Sequence, residues 1–394
     1  MLLIRNHQEA RALEVLMKAE ALSPNDLKVQ LLRVEAIAHL GDTTEALAVL
    51  ERLKTVADAS ELARIYVMEA VVYECLEYYD QMFFALKAAL EVDFSNTQAL
   101  ERLWLCVELS KKFDESIELN EYVLDNDPYS YLAWYNLGHS FAFTGQYEKA
   151  VEAYEYAYLI NENFEFAYRD CAEMCFELLQ YEQALNCYFE VLEHFEPDAD
   201  LYMRIGQCYF HLNRIKEARN NLSRAAIMDS MNDEAFYFIG MCYAQESDWN
   251  NAALFFEKAI DIESRREEYF IHIAEAYQHL DRIEEAEEHY QEATEIAPEQ
   301  VSCWYAYAKF LIITNRVKEA FEVLKEATDY ILSTELSCAR IASYLLVNNA
   351  KKALPKFVAL LEEDPDAYHS LFLLEPSLKE NTAVRSIVST FVQV

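Results

Sequence analysis

The sequence predicts an all-α protein, a solenoid of antiparallel helix pairs. Three observations predict it. Only five glycines and seven prolines occur in 394 residues, far fewer than a loop-rich fold uses. Ala, Leu, Glu, Tyr and Phe fill the space instead, so the chain reads as nearly continuous helix. One pattern of large and small apolar residues then recurs in unbroken register from residue 63 onward. A chain of this length would ordinarily suggest two or three globular domains. A repeat array is different, because its core grows along one axis.

The pattern is clearest over Leu132–Tyr158, which holds Trp134-x-x-Leu137-Gly138-x-x-Phe141 and then Ala150-x-x-x-Tyr154-x-x-Ala157. This spacing resembles the tetratricopeptide repeat (TPR), a helix–turn–helix unit of 34 residues. The resemblance covers about residues 6–363. It implies a right-handed superhelix in which first helices line a concave groove and second helices lie outside.

Residues 1–26 read as a partial repeat. NHQEARALEVLMKAEAL over 6–22 has the pattern of a second helix, with Ala12, Leu16, Ala19 and Pro24 at the expected spacing and no first helix before it. The expectation is a start inside a repeat, with residues 1–5 improvising a cap as the alternative. The next unit begins at 27, carries Gly41 at its turn and runs two residues long. Strict units then start at 63, 97, 131, 165, 199, 233, 267 and 301. Their fourth position is a large anchor, such as Tyr66, Trp134, Tyr202 or Trp304. Their eighth is small (Ala70, Gly138, Ala172, Gly206, Gly240, Ala274, Ala308), which lets paired helices approach closely. Position 20 is alanine from Ala150 to Ala320, and position 24 is mostly Leu, Tyr or Phe. Glycine appears only at the eighth position or at the turn, where close approach or a permissive backbone requires it. Pro24, Pro128 and Pro298 end second helices, where a missing N–H does no harm.

The unit at 97 departs from the pattern. Trp104 stands in the small column, Ser116 in the alanine column and Asn120 in the large column. Two readings are open: Trp104 fills space left by its smaller neighbours, or this unit is a hinge. Past 334 the pattern decays into a degenerate repeat, 335–366, with Pro355 early in its second helix. The tail, 367–394, reads as a cap, with Leu371, Leu374 and Leu378 followed by Val384, Ile387 and Phe391. The whole chain is expected to be a single solenoid. Its tail and the NDPYSYLAWYNLG stretch at 126–138 are similar to those of large bacterial TPR proteins without an assigned activity.

The formal charge is -36, from 33 basic and 69 acidic residues. Such a surface repels phosphate backbones and anionic lipid, which need basic patches, so neither nucleic acid nor membrane is an expected partner. The excess Glu reads as solvated helix faces. The sharper alternative is a field that attracts a basic partner, although no local cluster singles one out. Nine cysteines are scattered without a C-x-x-C pair. Cys171 and Cys175 lie one turn apart at packing positions, where free cysteine acts as a small hydrophobe. This usage suits a reducing compartment. MLLIRNHQEA is too short in apolar residues for a signal peptide, and no apolar run reaches spanning length. A cytoplasmic location is the expectation.

The TPR resemblance places positions 2, 5, 6, 9, 12 and 13 of each unit in the groove. These supply Tyr135, Asn136, His139 and Phe143, then Arg169, Asp170, Glu173 and Phe176, then Met203, Arg204, Gln207 and His211. Tyr237, Phe238, Met241 and Gln245 follow, then His272, Glu275 and His279, and finally Tyr305 and Lys309. Column packing does not require aromatic or polar residues there. Aromatic anchors with Arg and amides suit an extended peptide or a helix of a partner protein. Chaperone-associated TPR domains grip a terminal carboxylate, and at the corresponding positions this chain offers Glu101, Leu105, Asn136, Phe166 and Asp170. Only Asn136 fits, so that specialisation is not expected. His272 and His279 stand two turns apart, about 10 Å along the helix, too far to share a zinc ion. No nucleophile elbow, phosphate loop or dinucleotide fingerprint occurs. The expectation is a non-enzymatic scaffold without cofactor or metal that binds a protein or peptide. The alternatives are a solenoid that self-associates through its N-terminal end and a peptide-sensing regulatory subunit.

Overall fold

The computed structural model describes residues 9–391. Among these it holds 23 α-helices, one 3-10 helix and no strand, an all-α repeat fold. The reading of residues 1–5 as a cap lies outside the described residues. The chain divides into two compact units, Met1–Pro197 and Asp198–Val394.

The first unit contains α1 (Glu9–Leu22), α2 (Leu27–His39), α3 (Thr43–Lys54), α4 (Ala59–Cys75), α5 (Tyr79–Val92), α6 (Thr97–Ser110), α7 (Phe113–Asn126), α8 (Tyr131–Phe143), α9 (Tyr147–Ile160), α10 (Glu165–Glu177) and α11 (Tyr181–His194). Helix starts are written into the sequence as caps. Asp26 accepts from the amides of Lys28 and Val29, Asn96 from Ala99 and Ser130 from Ala133. Each such cap contributes about 1 kcal/mol. Helix α4 begins four residues before position 63 because Asp58 and Glu61 form a reciprocal capping box.

The second unit contains α12 (Ala199–His211), α13 (Ile215–Met228), α14 (Asp233–Gln245), α15 (Trp249–Ile262), α16 (Glu267–His279), α17 (Ile283–Ile296), α18 (Val301–Ile313), α19 (Val317–Ala327), α20 (Thr334–Leu346), α21 (Ala350–Glu363), α22 (Tyr368–Leu374), the 3-10 helix Pro376–Glu380 and α23 (Thr382–Phe391). Helix α21 continues through Pro355. Leu371, Leu374, Leu378 and Val384 are buried in one core with Trp304, Leu324 and Phe357, and Ile387 and Phe391 pack against it.

Every hairpin turn needs one left-handed residue between its two helices. Gly41 and Gly145 supply it with φ of 92° and 73°. Glu77, Lys111, Leu179, Asn213, Ser247, Asp281, Asn315 and Asn348 supply it elsewhere, with φ of 58–61°. A side chain there costs roughly 1–2 kcal/mol, so the stacked helices hold these turns against local preference. The small column works as a contact surface. A Cβ added at Gly138 would lie 2.8 Å from the Tyr154 ring, and one at Gly240 would lie 2.6 Å from Phe256.

The unit at 97 does not follow the first of the two sequence readings. Trp104 does not fill the space beside Ser116 and Asn120. It is 37% exposed and lies edge-on to His139 at 5.8 Å. The space is closed by polar groups instead: Asn120 Nδ2 donates to the Ser116 carbonyl at 2.8 Å, and Ser140 Oγ donates to Ser116 Oγ at 2.9 Å. Helices α6 and α7 consequently touch each other far less than the paired helices of other units do.

Candidate functional site

In the first unit, α8 and α10 bring Tyr135, Asn136, His139, Arg169 and Glu173 onto one first-helix face. Tyr135, Asn136 and His139 are buried rather than open to solvent, which corrects their expected placement. Tyr135 donates from its hydroxyl to Asp170 Oδ2 at 2.7 Å and stands edge-on to Phe164 at 4.9 Å. Burial pushes the Asp170 carboxyl up to about 6, although the Tyr135 hydrogen bond pulls the other way. Asn136 is 1% exposed and spends its amide N–H on the Leu100 carbonyl of the preceding unit, at 3.0 Å. Its Oδ1 has no hydrogen-bond partner. His139 is held below its ordinary pKa by burial, with Glu108 opposing at 4.0 Å, so the ring is neutral at physiological pH. Arg169 donates to Glu165 at 2.7 Å, and Glu173 accepts from the Tyr188 hydroxyl.

What this face offers a ligand is therefore apolar. Phe143 is 48% exposed and Phe166 is 63% exposed. Phe143 stacks on Phe113 at 5.0 Å, with the Lys111 ammonium 5.7 Å from its ring. Leu105 and Leu109 on α6 are also exposed and were missed as site residues. Their signal was present, because they occupy positions 9 and 13 of a unit whose columns looked irregular for other reasons.

In the second unit, α12, α14, α16 and α18 carry the remaining candidates. Gln207 is buried and accepts from Arg204 at 3.3 Å, so it too is not an open groove position. Arg204 also approaches Asp200 at 3.9 Å. His211 is exposed at the end of α12, with its pKa lowered by burial. The fold gathers an aromatic cluster around Tyr237, which stacks on Tyr269 at 4.7 Å and meets Phe238 at 5.3 Å and His272 at 5.7 Å. Met241 and Tyr305 are partly buried against the same core. His272 bonds Glu275 at 3.0 Å. Burial would raise the Glu275 carboxyl, but His272, Lys309 and His279 hold it below its ordinary value. His279 stacks flat on Trp249 at 3.9 Å, pointing to a packing role. Lys309 is exposed. No group of three His, Cys, Asp or Glu among the described residues could hold a metal ion.

A sequence profile described as "Cilia and flagella-associated protein 70 C-terminal domain", a TPR family, matches residues 85–342. No curated protein matches the chain. Among solved structures, a tetratricopeptide repeat protein from Parabacteroides merdae is 15% identical, with a TM-score of 0.50 over 62% of this chain and 98% of that one. The Cut9–Hcn1 hetero-tetramer of the APC/C is 14% identical, with a TM-score of 0.48 over 86% of this chain and 68% of that one. YrrB, described as a TPR protein with an unusual peptide-binding site, is 20% identical, with a TM-score of 0.41 over 48% of this chain and 98% of that one.

Proposed function

Because the chain belongs to the TPR family of the cilia and flagella-associated protein 70 C-terminal domain, we propose that it is a non-enzymatic scaffold whose first-helix faces hold a peptide or helix of a partner protein. The observation that carries this is the exposure of Leu105, Leu109, Phe143 and Phe166 on the first helices α6, α8 and α10 of the first compact unit. Several exposed apolar side chains of this size on one set of first helices favour contact with another polypeptide. Aromatic residues of such a set provide most of the binding area at low entropic cost. Tyr135, Asn136 and His139 support that face from beneath, and Arg169 and Glu173 border it. In the second unit, Arg204, Gln207, His211, Tyr237, Phe238, Met241, His272, Tyr305 and Lys309 form the corresponding first-helix surface. Thiols are preserved in a reducing compartment, and nine cysteines held as thiols support a cytoplasmic location.

The test is affinity capture from cells of the source organism, with intact protein beside Phe143→Ser/Phe166→Ser. Both side chains are exposed, so the variant should keep its helical circular dichroism. A partner retained by intact protein and lost from the variant is expected. Partners kept equally by both would move the site off this face. A second reading, self-association through the N-terminal end, is favoured by the exposed Val15, Met17 and Leu22 of α1. Light scattering at micromolar concentration decides it: a monomer removes this reading.

A further inference from the structure

The first-helix face continues toward the N-terminus into a cleft that the sequence reading did not include. It is lined by α2, α4 and α6 and encloses about 400 Å³. Equivalent positions of the three helices build it in rows. The row at the second position of each unit is Lys28, Arg64 and Gln98; behind it lie Leu31, Leu32, Val67 and Met68, with Val71 beyond. Glu35, Glu101 and Arg102 complete the lining. Arg102 is engaged by Glu74 at 2.7 Å. Lys28 and Arg64 are exposed, and neither makes an ion pair among the described residues.

Three basic residues, Lys28, Arg64 and the paired Arg102, outnumber Glu35 and Glu101 in this lining, out of keeping with a chain of net charge -36. Lys28 and Arg64 are the two without an ion pair among the described residues. An exposed Lys or Arg is ordinarily satisfied by water. These two instead flank one concave apolar surface from neighbouring helices, so a ligand can meet both charges and the floor together. Packed helices lie about 8–10 Å apart. Carboxylates that reach both cations are therefore separated by about three residues of extended chain.

We propose that this cleft binds an acidic peptide segment of a partner protein, with carboxylates on Lys28 and Arg64 and aliphatic side chains on Leu31, Leu32, Val67 and Met68. The inference rests on the reading of the first-helix face as a binding surface, and it names the ligand chemistry at one end of that face. The net negative charge of the chain disfavours acidic segments in general, so the local cations also give selectivity.

The experiment is selection of phage-displayed random dodecapeptides on the full chain. Enriched peptides are then measured by fluorescence anisotropy against intact protein, Lys28→Glu/Arg64→Glu and Phe143→Ser/Phe166→Ser. The expected result is enrichment of Asp or Glu spaced about three residues apart beside Leu, Ile or Met. Affinity should fall roughly tenfold or more in the charge-reversed variant and weaken with added salt. Loss in both variants also supports the proposal, with a longer footprint. Peptides lost only from Phe143→Ser/Phe166→Ser overturn this inference and leave the broader reading standing. Failure to enrich any peptide, or binding indifferent to both variants, overturns both. Lys28→Ala/Arg64→Ala repeats the measurement if charge reversal lowers the helical circular dichroism.

Discussion

Gly138→Ala tests whether the small column is set by close approach. In α8 the new methyl would sit 2.8 Å from two carbons of the Tyr154 ring and 3.2 Å from a third. Tyr154 is fully buried and packs against Tyr135 at 5.5 Å, so the ring has to push on the residue that holds Asp170. Alanine is tolerated at the equivalent Ala172 and Ala274, in hairpins whose Tyr188 and Tyr290 hydroxyls reach Glu173 and Gln278. The obstacle is thus the position of the Tyr154 ring rather than tyrosine as such. Overpacking of this kind costs about 1–3 kcal/mol, and the better helix propensity of alanine returns about 1 kcal/mol. The net expectation is a loss of about 1 kcal/mol. The assay is hydrogen exchange by mass spectrometry over Tyr131–Phe143 and Tyr147–Ile160, where this loss lowers protection roughly fivefold. In a Tyr154→Ala background the obstacle is gone, and Gly138→Ala should raise protection instead. An equal gain in both backgrounds would refute the steric account.

Three further outcomes follow from the same structure. Because α6 and α7 barely touch, amides across 97–124 should exchange faster than those across 199–226; equal protection would show that the open hairpin is rigid. Asp170→Asn keeps an acceptor for the Tyr135 hydroxyl and removes a carboxyl that burial holds up to about 6. With its folded value raised, Asp170 contributes stability below its ordinary value of 3.8 and loses it as pH rises through 6. Unfolding by urea should therefore show Asp170→Asn more stable than the parent at pH 7 by on the order of 3 kcal/mol. The difference should vanish near pH 4; a pH-independent difference would assign the effect to packing. Leu179 is an exposed leucine held at φ 59°. Leu179→Asn should stabilise the α10–α11 hairpin by about 0.5–1 kcal/mol, measured by exchange over Glu165–His194, and a loss would mean that Leu179 makes an apolar contact worth more than the backbone strain.

The sequence by itself determined the all-α repeat fold, because a repeat buries its apolar face only against neighbours a fixed distance away in the chain. Short-range spacing then carries the fold: caps such as Asn96 and Ser130 mark first-helix starts, and Gly138 and Ala150 mark the closest helix approach. Only the tertiary structure decided which side chains of the first-helix face stay available. Asn136 and His139 have the same register as exposed groove positions, but they are covered: Asn136 donates to the Leu100 carbonyl and His139 meets the Trp104 ring edge-on. Leu105, Leu109, Lys28 and Arg64 occupy groove positions 9, 13 and 2 of their units, so their register was legible, and the structure adds that they stay exposed. The non-glycine turns have a parallel explanation. No local signal puts Leu179 or Glu77 at positive φ; the two helices on either side impose it, and their packing outweighs the strain.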